Sequence, residues 1–299
     1  MSRIVLAYSG RPATAATVER LAASYPGEVI TVTLDLGQGK ELEAVRDRAL
    51  AMGAVRAHVL DANDLFVREF LLRALKAGAL ADGDRSFVPL LTRPLIAQKL
   101  VEVAAIEQAT DVAHAGREGD DRIGVAVRTL APQLTVVTVP REAAPAAGAA
   151  RPVAAPAEPA LVEIRFERGA PVALNGIAMP LLDVLSSLAI IAGAHGVNAA
   201  RVLNDAHADL QHAIAPGKGE DLPGRYRELV DAGQWFDPAR EALDAQVAKI
   251  QDKVSGTVRL KLFEGRCEII DRKPAKLGRK LPVTALHGAD PAPRGPQKP

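Results

Sequence analysis

Through the first half of the chain, short unbroken apolar runs alternate with longer stretches of helical rhythm. "RIVLAYS" (3–9) is apolar almost throughout and is closed by Gly10, the pattern of a buried strand. "TAATVERLAASY" (14–25) repeats its apolar positions with helical spacing, and Thr14 is placed to cap it. "GEVITVTLDLGQG" (27–39) predicts a second strand running into a glycine-bearing loop, and "KELEAVRDRALAMGA" (40–54) an amphipathic helix closed by Gly53. A third strand, "VRAHVLDA" (55–62), precedes a helical stretch over 63–81. After a loop over 82–94 come a helix, "LIAQKLVEVAAIEQA" (95–109), a strand, "DVAHAG" (111–116), a further helix and the strand "LTVVTVP" (134–140). Strands and helices alternating in this way predict an α/β unit with a parallel sheet covered on both faces. Ligands in such sheets bind beyond the carboxyl ends of the strands, where Ser9, Asp35, Gly37 and His114 fall.

The rhythm then stops. Residues 142–160 are Pro/Ala-rich without amphipathic period and predict an extended linker. A different pattern follows. "LVEIRFERGAPVALNG" (161–176) alternates as an antiparallel strand pair does, with its turn at Arg168–Gly169. "MPLLDVLSSLAIIAGAHG" (179–196) is a strongly apolar helix, residues 224–256 hold two helices around Gly233–Pro238, and 257–273 is a hairpin turning at Glu264–Gly265. The expected division is therefore 1–141, a linker at 142–160, an α+β unit at 161–273, and a disordered basic Pro/Gly-rich tail over 274–299.

Composition narrows the picture. The 299 residues are 48% apolar, enough for a sizeable core, and a formal charge of +1 with interspersed signs gives no global field for nucleic acid or membrane. One cysteine, Cys267, excludes an internal disulfide and a Cys-cluster metal site and suits a reducing cytoplasm. Residues 1–30 lack the order of a signal peptide, and no apolar stretch reaches membrane-spanning length. His207 and His212 stand five apart, off the i, i+4 spacing that zinc ligands on one helical face need, so no metal site is expected. The apolar helix at 179–192 is expected to be covered by a homo-oligomer contact.

The stretches "VLAYSG", "LDLGQG", "RPLIAQKLVEVA", "LAPQLTVV", "VEIRFERGAPVALNG", "AGAHGV", "ELVDAGQWFDPAREALDA" and "VSGTVRLKLFEGRCEIIDRK", in this order, resemble the argininosuccinate synthase family of N-type ATP pyrophosphatases. The resemblance implies an adenine nucleotide alpha hydrolase-like first domain and an ATP-dependent carbon–nitrogen ligase. In such a ligase ATP and Mg²⁺ activate citrulline and aspartate then displaces AMP. It implies small amino-acid or nucleotide partners and a cytoplasmic homo-oligomer. On the matching positions it places nucleotide binding at Ser9, Gly10, Arg11, Thr14, Leu34, Gly37 and Ala115, and substrate binding at Arg85, Arg93, Asp120, Asp121 and Arg122.

The chain departs from the family at ligand-facing places. The phosphate loop pattern S-G-G-x-D-T-S is met by Ser9, Gly10, Arg11, Pro12, Ala13, Thr14 and Ala15, so the second glycine and the acid are gone. Pro12 removes an amide donor, and Arg11 either supplies a cationic phosphate clamp or leaves a merely structural turn. "LDLGQG" (34–39) reads equally as a nucleotide wall or as a tight strand-to-helix connection. Arg85 stands near a citrulline-binding tyrosine's place, with Pro89 and Leu90 where hydroxyls are usual. Asp120 and Asp121 either hold Mg²⁺ through water or cap the next helix. Two citrulline-gripping segments and a C-terminal helix have no counterpart. Two readings follow: a ligase with a changed substrate, or a non-catalytic relative that binds a nucleotide, metabolite or partner chain.

Overall fold

The computed structural model describes residues 2–37, 41–83, 85–117, 119–140 and 156–275. Most of the expected linker and the tail beyond Ala275 lie outside the described residues. Strand β1 (Arg3–Ala7) leads into α1 (Pro12–Ser24), β2 (Glu28–Asp35) into α2 (Leu42–Ala51), and β3 (Arg56–Asp61) into a helix in three parts. These parts are α3 (Asn63–Leu65), a π-helical turn (Phe66–Leu71) and α4 (Leu72–Lys76). A small hairpin of β4 (Ala81–Asp82) and β5 (Arg85–Ser86) precedes the long α5 (Val88–Glu107). Then come β6 (Asp111–Gly116), α6 (Arg122–Leu130) and β7 (Thr135–Pro140).

The five long strands form a parallel sheet in the order β3-β2-β1-β6-β7. Successive residues of β1 point to opposite faces. Ile4 and Leu6 pack under α1 and α2 with Val18, Leu21, Val45 and Ala49, while Val5 meets Ala97, Leu100 and Val103 of α5. Both faces of the strand are thus buried, which is why its sequence is a continuous apolar run. Because β1 lies between β2 and β6, the chain reverses its direction across the sheet at β1, and a crevice opens at that switch point.

The second layer comprises β8 (Ala160–Glu167), β9 (Ala170–Leu174), β10 (Ile177–Ala178), α7 (Leu181–Ala194), α8 (Ala199–Ile214), α9 (Leu222–Asp231), α10 (Pro238–Gln251), β11 (Gly256–Phe263) and β12 (Arg266–Pro274). Its sheet is antiparallel, ordered β10-β9-β8-β11-β12. The β8–β9 turn holds Arg168 at φ 50° and Gly169 at φ 75°; the β11–β12 turn holds Glu264 at 47° and Gly265 at 75°. Positive φ at both central residues matches the right-handed twist of the flanking strands. The inward side chains Ile164, Phe166, Val258, Leu260 and Leu262 share one core with Phe70, Leu75, Leu91 and Leu95 of the first half. Trp235 seals that core. It stacks on Phe70 at 5.1 Å and meets Tyr226 edge-on at 5.8 Å.

Three local expectations are corrected. α1 begins at Pro12 with Arg11 at the cap position, so Thr14 is inside the helix rather than its cap. α5 begins at Val88 and carries Pro94 within it, where a loop was expected up to residue 94. An interior proline costs a helix about 3 kcal/mol, but the earlier start buries Leu91 completely and packs Val88 and Leu90 against the core. A fully buried leucine contributes roughly 1.5–3 kcal/mol, so Leu91 together with the partly buried Val88 and Leu90 offsets the cost of the proline. α8 fills a stretch to which the sequence pattern assigned no element. Among the described residues no single helix is long and apolar enough to cross a membrane.

Candidate functional site

A cavity of about 590 Å³ lies beyond the carboxyl ends of β1, β2 and β6. Ala7, Val32 and Leu34 from the strands and Ile96 and Leu100 from α5 give it an apolar wall. Ser9, Arg11 and Thr14 line it from the loop after β1, His114 to Arg117 from the end of the neighbouring β6, and Thr92, Arg93 and Asp120 complete the wall.

The loop after β1 is shaped by packing. Gly10 has φ +73°, and a Cβ there would lie 2.5 Å from a methyl of Val45 on α2. Only glycine fits. Pro12 sits in the first turn of α1, where a missing amide costs the helix nothing. The Thr14 hydroxyl donates to the Arg11 carbonyl at 2.9 Å, so the 3.0 Å contact with Ser9 must have Ser9 donating to Thr14. Both hydroxyl protons are spent within the turn. Arg11 is exposed, and its guanidinium has no hydrogen-bond or ion-pair partner among the described residues.

Along the side wall Asp120 is held twice, by Arg93 Nη2 at 2.9 Å and by Arg122 Nη1 at 2.9 Å. Burial pushes the Arg93 guanidinium down, against the pull of Asp120, and its Nη1 is buried without a partner. His114 is 2% exposed. Its Nε2 lies 3.4 Å from the Thr138 hydroxyl and its Nδ1 has no partner. Burial lowers its pKa, which keeps the ring neutral at pH 7.

The structure sorts the candidate residues into two groups. Ser9, Arg11, Thr14, Leu34, Ala115, Arg93 and Asp120 line one cavity. Gly10 lies behind the loop against Val45, and Gly37, at φ +91°, donates its amide to Asp35 Oδ1 at 2.8 Å in a tight turn. Arg85, Asp121 and Arg122 do not line the cavity. Arg85 binds both carboxylate oxygens of Asp231, at 2.9 and 3.0 Å, and lies 4.6 Å over the Phe87 ring. Arg122 binds Asp120 and the Asp231 carbonyl. Asp121 occupies the cap position of α6 but makes no capping bond with its side chain; its carboxylate pairs with Arg128 instead. A cationic partner one helical face away outcompetes a backbone amide. Sequence reasoning passed over Arg117, the first residue beyond β6, although strand ends are where such sheets bind ligands.

Away from the cavity the weighed candidates are packing groups. His207 is fully buried with Nε2 2.8 Å from Gln251 Oε1, and burial lowers its pKa to about 4. The Cys267 thiol is pushed up to about 11, first by burial and then by Asp205, so it stays protonated.

Residues 3–151 match the family model for the arginosuccinate synthase N-terminal HUP domain, and residues 138–211 and 198–277 match that for its C-terminal domain. The argininosuccinate synthase of Oceanobacillus iheyensis is 32% identical over 350 residues, covering 91% of this chain and 84% of that protein. That of Pelotomaculum thermopropionicum is 34% identical over 348 residues, covering 89% and 86%. Among solved structures, a universal stress protein in complex with cAMP aligns with 46% of this chain at 18% identity and a TM-score of 0.28, too low to bear on the fold. With both domain models matched and one third of residues shared along most of its length, the chain belongs to the argininosuccinate synthase family.

Proposed function

We propose that this family member keeps the nucleotide half of the site and has given up the citrulline–aspartate half, so that it binds an adenine nucleotide without making argininosuccinate. One observation carries the reading. Ser9, Arg11, Thr14, Leu34 and Ala115 share an open cavity, while Arg85, Asp121 and Arg122 lie outside its lining and are bound to oppositely charged groups of the chain itself. A substrate would have to displace those partners. The 350-residue span shared with the Oceanobacillus protein exceeds the 299 residues of this chain, so that relative carries stretches absent here. Those stretches fit the missing citrulline segments at the linker and after "AGAHGV".

The family's reaction uses ATP and Mg²⁺, and the residues present fit the first better than the second. About 590 Å³ lies within the size range of small-molecule pockets, and the apolar strand ends suit a base. A protein-held Mg²⁺ does not fit. Among the described residues the one carboxylate lining the cavity, Asp120, already receives two guanidinium groups, whereas Mg²⁺ needs free oxygen ligands. A ligase acting on a different acid is the second reading, favoured by the unpartnered Nη1 of Arg93 at the cavity wall. We further assign 1–141 and 161–273 as the two domains, a homo-oligomer contact at Leu182 and Ile190 of α7, which are exposed, and a reducing cytoplasm, which suits the lone Cys267.

The test supplies citrulline, aspartate, ATP and Mg²⁺ and follows argininosuccinate and AMP. The expected result is no argininosuccinate and no citrulline-dependent AMP, alongside calorimetric binding of an adenine nucleotide. Citrulline-dependent AMP release would overturn the proposal, and so would the absence of any nucleotide binding at millimolar concentration.

A further inference from the structure

The phosphate end of the cavity has an unusual charge balance, and this deepens the nucleotide reading on which it rests. β1 and β6 are neighbouring parallel strands, with Ala7 opposite His114. Arg11 follows the first and Arg117 the second, so the two arginines rise from the same edge of the sheet and line the same cavity. Both are exposed, and neither guanidinium has a hydrogen-bond or ion-pair partner among the described residues. Arg93 and Arg122 by contrast each bind Asp120. Two unpaired guanidinium groups at one cavity mouth repel each other unless an anion lies between them. Among the described residues the other aids to phosphate binding are reduced: the Ser9 and Thr14 protons are used inside the turn, Pro12 has no amide proton, and Asp120 already receives two guanidinium groups.

We propose that Arg11 and Arg117 form a metal-free clamp for a phosphomonoester dianion, which makes a nucleoside monophosphate the ligand class of this cavity. Each planar guanidinium can present two N–H donors to two phosphate oxygens. Two positive charges balance one dianion. A triphosphate would keep an excess of negative charge that Mg²⁺ ordinarily absorbs and that no carboxylate here could help to hold in place.

The experiment is calorimetric titration of the full chain with AMP, adenosine and ribose 5-phosphate, each in EDTA, and with AMP again in excess Mg²⁺. AMP should bind in EDTA, and Mg²⁺ should change its affinity less than twofold. Arg117→Ala should weaken AMP and ribose 5-phosphate at least tenfold and leave adenosine unchanged, and Arg11→Ala should do the same. Arg117→Lys should retain part of the affinity. Both positions are exposed, so unchanged melting temperatures check that the variants fold. The clamp is overturned if Arg117→Ala leaves AMP and ribose 5-phosphate binding intact, or if AMP binds only with Mg²⁺. Ribose 5-phosphate binding that depends on Arg117, with no binding of adenosine or AMP, would uphold the clamp and sink the nucleotide reading. No binding of any probe sinks both.

Discussion

At the cavity the Arg11 and Arg117 side chains stand unpaired; Arg93 on the same wall and Arg85, Arg122 and Arg128 outside it bind Asp120, Asp231 and Asp121. The residue type is the same in both places. What differs is whether an acid of the chain lies within reach, and that decides between a group able to meet a ligand and a group that fastens the fold. The committed set also joins the two layers: Arg85 on β5 and Arg122 on α6 both reach Asp231 at the end of α9. Each pair is partly exposed and contributes about 0–1 kcal/mol by itself, so the network's larger effect is to fix where the two layers meet.

The strongest way to break this comparison is to test whether the loop's glycine serves the fold or the ligand. Gly10→Ala must adopt φ +73° and push a Cβ to 2.5 Å from Val45. Left-handed strain of about 1–2 kcal/mol and overpacking of about 1–3 kcal/mol together predict a loss of about 2–5 kcal/mol in denaturant unfolding. Adding Val45→Ala should recover the steric share and leave the backbone share. A Gly10→Ala protein as stable as its parent would mean that α2 does not dictate this residue.

Two histidines carry a similar contrast at the next scale down. His114 forms part of the cavity wall and His207 lies in the core, and burial lowers both pKa values. For His207 the folded value is about 4 against 6.5 for the free group. The unfolded chain therefore takes up a proton near pH 6.5 and the folded chain only near 4. Stability is fully present above pH 6.5 and drains as pH falls towards 4, by roughly 3 kcal/mol in all. Unfolding measured at pH 7 and pH 4.5 should show the parent losing more than a His207→Gln variant, by most of that amount. Equal losses would show that His207 does not resist protonation.

The fold was largely legible because its signals are local. Apolar runs ended by glycines mark β1 and β2, and the paired turn residues Arg168–Gly169 and Glu264–Gly265 mark hairpins whatever surrounds them. The start of α5 was not legible, because Pro94 reads as a helix boundary and only the distant core that takes up Leu91 overrides it. The site was half legible for the same reason. Ser9, Leu34 and Ala115 fall at strand ends, a position that sequence rhythm gives directly. The fate of Arg85 depends on Asp231, 146 residues away, and no local pattern announces that pairing. Arg117 stands just past the end of β6, and only the shared cavity reveals it.

Asp120→Asn sharpens the comparison by moving one arginine from the committed set to the free one. Asp120 is 28% exposed and holds both Arg93 and Arg122, so its neutralisation should cost on the order of 1–2 kcal/mol of stability. Arg93 would then offer both terminal nitrogens to the cavity. Melting temperature should fall while the affinity for AMP rises, an opposition of sign that simple loosening would not produce. A fall in both would mean that Asp120 serves the ligand.

The smallest expected effect is the most discriminating. Arg85 aligns with a citrulline-binding position, yet it is 57% exposed, binds Asp231 through two oxygens and covers the Phe87 ring. Arg85→Ala should therefore cost no more than about 1 kcal/mol, and the difference should shrink in high salt as the ion pair is screened. Nucleotide affinity should not change, because Arg85 does not line the cavity. If Arg85→Ala weakens the binding of any amino acid or nucleotide, the ion pair with Asp231 opens in solution and the committed half of the cleft still serves ligands. If binding holds while stability drops slightly and loses its salt dependence, Arg85 is a fastener between the two layers.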